Sequence, residues 1–153
     1  STLVGAAMKD GSIKSLEDPV TRYITDLRGS AYDDVTVRQL LTMTSGVRWN
    51  EDYTDLKSDV ARMYAEPPVP GMDMTVSYVR KLPRESPPGT RWVYNTSETN
   101  LVGVLVAEAW FRAGRAARAE GADGARDFRL AADAYAAALQ DPADPRAAPS
   151  AIG

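Results

Sequence analysis

Seven prolines fall between Asp18 and Gly89, at positions 19, 67, 68, 70, 83, 87 and 88. Each removes a backbone N–H donor and fixes one backbone torsion, so no helix runs through them and a central strand is as hard to place. The chain is therefore broken at Pro19 and repeatedly over residues 67–88. Between those breaks the apolar residues recur at helical spacing. Residues 1–9, "STLVGAAMK", put Leu3, Val4, Ala7 and Met8 on one face, with Gly11 as a C-cap. So short a helix is marginal alone, and the expectation is that it forms the second half of a longer one. The Asp18-Pro19 turn opens a short helix with Val20, Tyr23, Ile24 and Leu27 facing inward. Thr36 caps the next, which places Val37, Leu40 and Leu41 at core spacing and is expected to stop at Gly46. "DVARMYAE" reads as helix. "MTVSYVRKL", with Val76, Val79 and Leu82 three apart, also reads as helix, with strand as the alternative.

After the last of these breaks the apolar run "LVGVLVAEAWF" begins at Leu101. It is too short to cross a bilayer and holds Glu108, so it reads as a buried helix, and no membrane association is expected. Ser1 to Met8 has no basic leader and no small-residue cleavage site, so no signal peptide is expected there. A net charge of -3 offers no basic field for a nucleic acid backbone. The chain has no cysteine and no histidine, which removes thiol nucleophiles, zinc sites and a Ser-His-Asp triad together. Acid-base chemistry has to come from Lys, Tyr, Asp, Glu or Arg. No phosphate-binding glycine loop and no calcium-loop spacing appear, so neither cofactor nor metal is expected.

Beyond Trp110 the composition changes: 16 of the last 43 residues are alanine, and lysine is absent. Residues 110–153 read as an Ala-rich helical hairpin, "ARAEGADGARD" being the turn and "FRLAADAYAAALQ" the second helix, stopped at Asp141-Pro142. A second reading takes Trp110, Gly114, Ala131, Tyr135 and Ala138 as one tetratricopeptide-like unit, and a third takes the tail as a foreign extension.

Two stretches stand out for chemistry. "PPGTRWVYNTSETN" holds Tyr94 behind a Pro-Pro-Gly turn and surrounds it with hydroxyls and amides; the plain alternative is that Tyr94 packs beside Trp92. "TSG" at Thr44 to Gly46 suggests Ser45 as a nucleophile. However, Met43 stands where a nucleophile elbow needs glycine, and Arg48 follows where a Ser-x-x-Lys pair needs lysine. Arginine cannot release its proton to act as a base. Ser45 reads instead as a hydrogen bonder at a helix end. Glu51, Asp52 and Asp55 in "WNEDYTD" offer a substrate rim or carboxylate pair, but adjacent side chains point different ways and such a cluster reads first as solvated.

Taken in order, "KSLEDPVTRYI", "VTVRQLLTMTSGV" and "PPGTRWVYNTSETNLVG" resemble the serine β-lactamase-like superfamily: class C β-lactamases, penicillin-binding esterases and 6-aminohexanoate-dimer hydrolases. The resemblance covers residues 1–109. It implies a mainly α chain, the helical section of an α/β β-lactamase/transpeptidase-like fold. It also implies a small ester, amide or β-lactam substrate attacked by a serine, and a bacterial source, with periplasm, outside and cytoplasm all open. The family shares its proton traffic between a lysine and a tyrosine, and the resemblance assigns the tyrosine's relay role to Tyr94. Where the family often has asparagine this chain has Thr96, with Asn95 displaced by one; both are candidate substrate-binding residues. No serine in the chain has lysine three residues on, and no Lys-Thr-Gly strand is present. The Ser-x-x-Lys pair is expected just before Ser1. The expectation is a partial serine hydrolase, inactive as this chain; the alternative is a helical interaction module whose tail docks a protein partner.

Overall fold

The computed structural model describes residues 1–119 of the 153-residue chain. A capping residue precedes four of the five helices and fixes where each begins. For α2 (Val37–Leu41) Thr36 accepts the Gln39 N–H while the Gln39 side chain accepts the Thr36 N–H at 2.9 Å, a capping box. Ser58 caps α3 (Asp59–Ala65) and Asp73 caps α4 (Met74–Val79), each through its side-chain oxygen. Asn95 caps α5 (Thr96–Ala119), its Oδ1 accepting the Glu98 N–H at 3.3 Å. Each such cap is worth about 1 kcal/mol, which matters for helices of five to seven residues that cannot hold themselves. The first helix, α1 (Thr2–Lys9), follows Ser1 without a side-chain cap.

The remaining expectations hold for burial more closely than for local geometry. Val20, Tyr23, Ile24 and Leu27 are all buried, but on two 3-10 turns, Val20–Arg22 and Thr25–Leu27, where an α-helix was expected. Their carbonyl at Val20 takes both the Tyr23 and Ile24 N–H groups, so the turn tightens before α geometry can propagate. Helix α2 stops earlier than Gly46. Met43 adopts a left-handed φ of 53°, the Thr44 N–H returns to the Gln39 carbonyl at 2.9 Å and the Met43 N–H to that of Leu40 at 3.2 Å. This is a Schellman ending built on methionine where glycine is usual, which leaves Gly46 free for a different task described below. On α1, Val4 and Ala7 are buried while Leu3 and Met8 stand more than a third exposed, so half of the expected apolar face is uncovered.

Contacts gather Ser1–Ala109 into one unit. Tyr32, Val35, Val37, Leu40, Met63, Val79, Leu101 and Leu105 are wholly buried in it, each aliphatic chain contributing about 2 kcal/mol. Helix α3 packs on α4, where the Tyr78 hydroxyl donates to Asp59 at 2.8 Å and the other Asp59 oxygen accepts the Asn50 N–H at 2.8 Å. Two isolated antiparallel bridges, Pro19 with Thr36 and Val47 with Arg84, stand where a sheet could be among the described residues. The described residues are thus helical with almost no strand. Residues 110–119 continue α5, with the Arg115 guanidinium 5.9 Å from the Phe111 ring one turn earlier. The hairpin turn, the second tail helix and the tetratricopeptide-like unit lie outside the described residues.

Candidate active site

Tyr94 is held by its backbone. Pro87 and Pro88 lead into Gly89 at φ 81°, and the Thr90 N–H closes the turn on the Pro87 carbonyl at 3.3 Å, the arrangement of a type II turn. From there the chain is laced to the segment after α2: Gly89 N–H to the Thr44 carbonyl at 2.7 Å, Val93 N–H to that of Met43 at 3.1 Å, and Glu85 N–H to that of Gly46 at 2.8 Å. Gly46 is required at this crossing. Its φ is 73°, and a Cβ there would lie 2.0 Å from the Ser86 carbonyl oxygen. The two segments that stood out in the sequence are therefore one structural unit. Tyr94 rises from it 51% exposed and Trp92 64% exposed, so core packing is not what fixes either ring.

Next to Tyr94 lies a carboxylate surrounded by donors. Glu51 accepts from the Trp49 indole N–H, the Tyr53 hydroxyl, the Thr96 hydroxyl and, at 3.0 Å, the Thr96 backbone N–H at the first turn of α5. Partial desolvation works to raise the Glu51 pKa, but the Thr96 N–H and the three side-chain donors outweigh it and hold the carboxyl below its ordinary range. Tyr53 and Thr96 hydroxyls lie 3.1 Å apart. Hydrogen bonding to the Glu51 anion holds the Tyr53 phenol above its ordinary pKa, with Tyr94 close enough to add to the effect. Tyr53 is thus kept as a neutral donor to Glu51, with Thr96 beside it. The solvated-rim reading of Glu51 missed this role. A signal for it was present: Trp49, Glu51 and Tyr53 alternate, which puts all three on one side of an extended segment.

Beneath the surface the same helix end is tied to the α2 side. Asn95 is buried: its Oδ1 accepts from the Ser97 hydroxyl and the Glu98 N–H, and its Nδ2 donates to Glu98 Oε1 at 3.3 Å. Its amide is committed to the helix cap, and Tyr94 is the residue immediately before it. Ser45, also buried, donates to Glu98 Oε1 and accepts the Val47 N–H at 3.1 Å, the hydrogen-bonding role expected of it. The Tyr32 hydroxyl stands among Ser45, Ser97 and Glu98. Desolvation pushes the Glu98 pKa up to about 7 against the pull of these hydroxyls. Asp52 and Asp55 take up local turn N–H groups, and no cluster able to hold a metal occurs among the described residues.

The Beta-lactamase family model matches residues 1–119. The chain belongs to the beta-lactamase family. Over 59 residues it is 44% identical to the 6-aminohexanoate-dimer hydrolase of Paenarthrobacter ureafaciens, covering 39% of this chain and 15% of that protein. A candidate beta-lactamase from Bacteroides dorei DSM 17855 superposes with a TM-score of 0.52 at 27% identity, over 70% of this chain and 29% of its own. A candidate 6-aminohexanoate-dimer hydrolase from Bacillus anthracis gives a TM-score of 0.56 at 19% identity, over 70% and 30%, a likeness of fold alone. The chain thus spans less than a third of the length of these relatives. No described helix is long and apolar enough to cross a membrane.

Proposed function

We propose that this chain carries the tyrosine side of a beta-lactamase-family serine hydrolase site, in which Tyr94 relays protons and Thr96 orients a small ester, amide or β-lactam. In the complete site a serine Oγ attacks the substrate carbonyl, its proton passing by way of Tyr94 to the leaving group; water then attacks the acyl-serine and the proton traffic reverses. A phenol with an ordinary pKa of about 10 serves as a base only beside a cation, the part that the Ser-x-x-Lys lysine plays in the family. The observation that carries this reading is the placement of Tyr94: exposed, on backbone laced to the Met43–Gly46 segment, close to Tyr53 and two residues before Thr96. The Tyr53 hydroxyl, its proton given to Glu51, leaves its oxygen as an acceptor on the same side.

With no Ser-x-x-Lys pair, the chain alone should turn over nothing. Intact mass after a fluorophosphonate probe should show no adduct on native or urea-unfolded protein, and a nitrophenyl ester should not be hydrolysed. An adduct on the native sample alone would refute the absent nucleophile. The role of Tyr94 is tested by transplanting residues 1–109 into the matching section of a complete family hydrolase. There Tyr94→Phe should lower kcat by about 10²–10⁴ in a chimera that still folds by circular dichroism. A chimera that keeps its full kcat without the hydroxyl refutes the relay.

A further inference from the structure

We infer that Glu98 is a positioning residue for Tyr94: lodged between the Ser45 turn and the Asn95 cap, it holds the first turn of α5 in place as a neutral acid and releases it as a carboxylate. This rests on the reading of Tyr94 as the proton relay. Glu98 is 1% exposed, and one oxygen, Oε1, gathers the Ser45 hydroxyl from the turn after α2 and the Asn95 amide from the α5 cap. The other, Oε2, has no hydrogen-bond partner, and neither has the buried hydroxyl of Tyr32 beside it. The groups facing the carboxyl are Tyr32 from the turn before α2, Ser45, and Asn95 and Ser97 from the start of α5; all are neutral. Arg84 reaches the same turn but binds the Ser45 carbonyl at 2.8 Å, the Ala31 carbonyl and the Asp34 carboxylate.

A buried carboxylate with neutral donors and no counter-cation is costly, whereas the neutral acid still accepts the Ser45 and Asn95 protons at Oε1 and leaves no charge to desolvate. Deprotonation leaves a buried charge that draws water between Ser45 and Asn95. Asn95 Oδ1 is the acceptor for the Glu98 N–H, so the cap opens with the latch, and Tyr94 is joined directly to the cap. The same proton thereby governs where the tyrosine stands. Burial places the midpoint near 7.

The test is amide hydrogen exchange at Glu98 by NMR on the full chain, corrected for intrinsic rates, across the neutral range. Protection in the unsubstituted protein should fall about tenfold as pH rises through about 7, the equivalent of losing one cap. In Glu98→Gln, which mimics the acid, protection should stay high at every pH; in Glu98→Ala it should be low at every pH. Tyr94→Phe should leave the transition intact, so the latch can stand or fall separately from the catalytic reading. A flat profile in the unsubstituted protein overturns the inference, as does a Gln variant that titrates as before. If the Ala variant does not fold, the Gln variant still decides.

Discussion

Raising the pH should weaken this fold, and a single carboxyl should account for most of the effect. Glu98 has an ordinary pKa of 4.5 in the unfolded chain and about 7 in the folded one. The folded state therefore binds the proton more tightly. The stability it contributes is fully present below pH 4.5 and is lost as pH rises through about 7. A displacement of that size corresponds to about 3 kcal/mol in all, of which about 2 kcal/mol falls between about pH 5.5 and 8.5. Against a total of about 5–15 kcal/mol for a domain, this is a large fraction. Urea denaturation followed by circular dichroism at several pH values should show the midpoint sliding downward across that window with an unchanged m-value. In Glu98→Gln the slide should vanish. Glu51 pulls in the opposite sense, since its lowered pKa contributes stability that disappears only as pH falls through its folded value, below the window used. A flat stability curve in the unsubstituted protein, or an equally steep one in the Gln variant, would refute the assignment of a neutral buried acid at this position.

Three further substitutions probe the scaffold and the site. Gly46→Ala should cost about 3 kcal/mol or more by urea denaturation, because the new methyl meets the Ser86 carbonyl at 2.0 Å on a left-handed backbone; a loss under about 1 kcal/mol would mean the crossing can spread. Tyr78→Phe leaves the buried Asp59 carboxylate with one donor fewer and should destabilise by about 2 kcal/mol, read the same way. Glu51→Gln should bring the Tyr53 phenol down toward its ordinary pKa, seen as an earlier tyrosinate absorbance rise that is missing when Tyr53→Phe is added; an unmoved titration would detach Tyr53 from Glu51.

The helices were legible because their caps and their apolar spacing are local: Thr36, Ser58 and Asp73 each stand one residue before a helix, and Val76, Val79 and Leu82 are buried as their spacing demands. What escaped depended on contacts distant in sequence. Met43 in a left-handed conformation has no propensity signal, and its carbonyl accepts the Val93 N–H from fifty residues away. Gly46 looked like a helix stop, since a sequence cannot show that Ser86 will press against it. Asn95 was weighed as a substrate group for its place beside Tyr94, yet its amide is buried in the cap. Glu51 was read as solvated because three neighbouring acids usually are; its partner Thr96 lies 45 residues further on.

Two carboxyls meet the first turn of α5, and their surroundings set them to opposite charge. Glu51, half-exposed, receives a backbone N–H and three side-chain donors at the positive end of a long helix, where an anion is favoured, and it stays ionised. Glu98 lies only two residues beyond Thr96 on the same turn, but burial removes the solvent that would stabilise its charge, and it is half protonated near pH 7. The outer anion keeps Tyr53 from ionising; the inner acid ties the cap behind Tyr94 to the turn at Ser45. Tyr94 thus emerges between a fixed negative charge and a titratable one, each acting through a neighbour in place of a bond to Tyr94 itself. Removing the outer charge should change which tyrosine ionises first and leave the fold standing, whereas deprotonating the inner acid should loosen the helix end and leave the order of ionisation as it was.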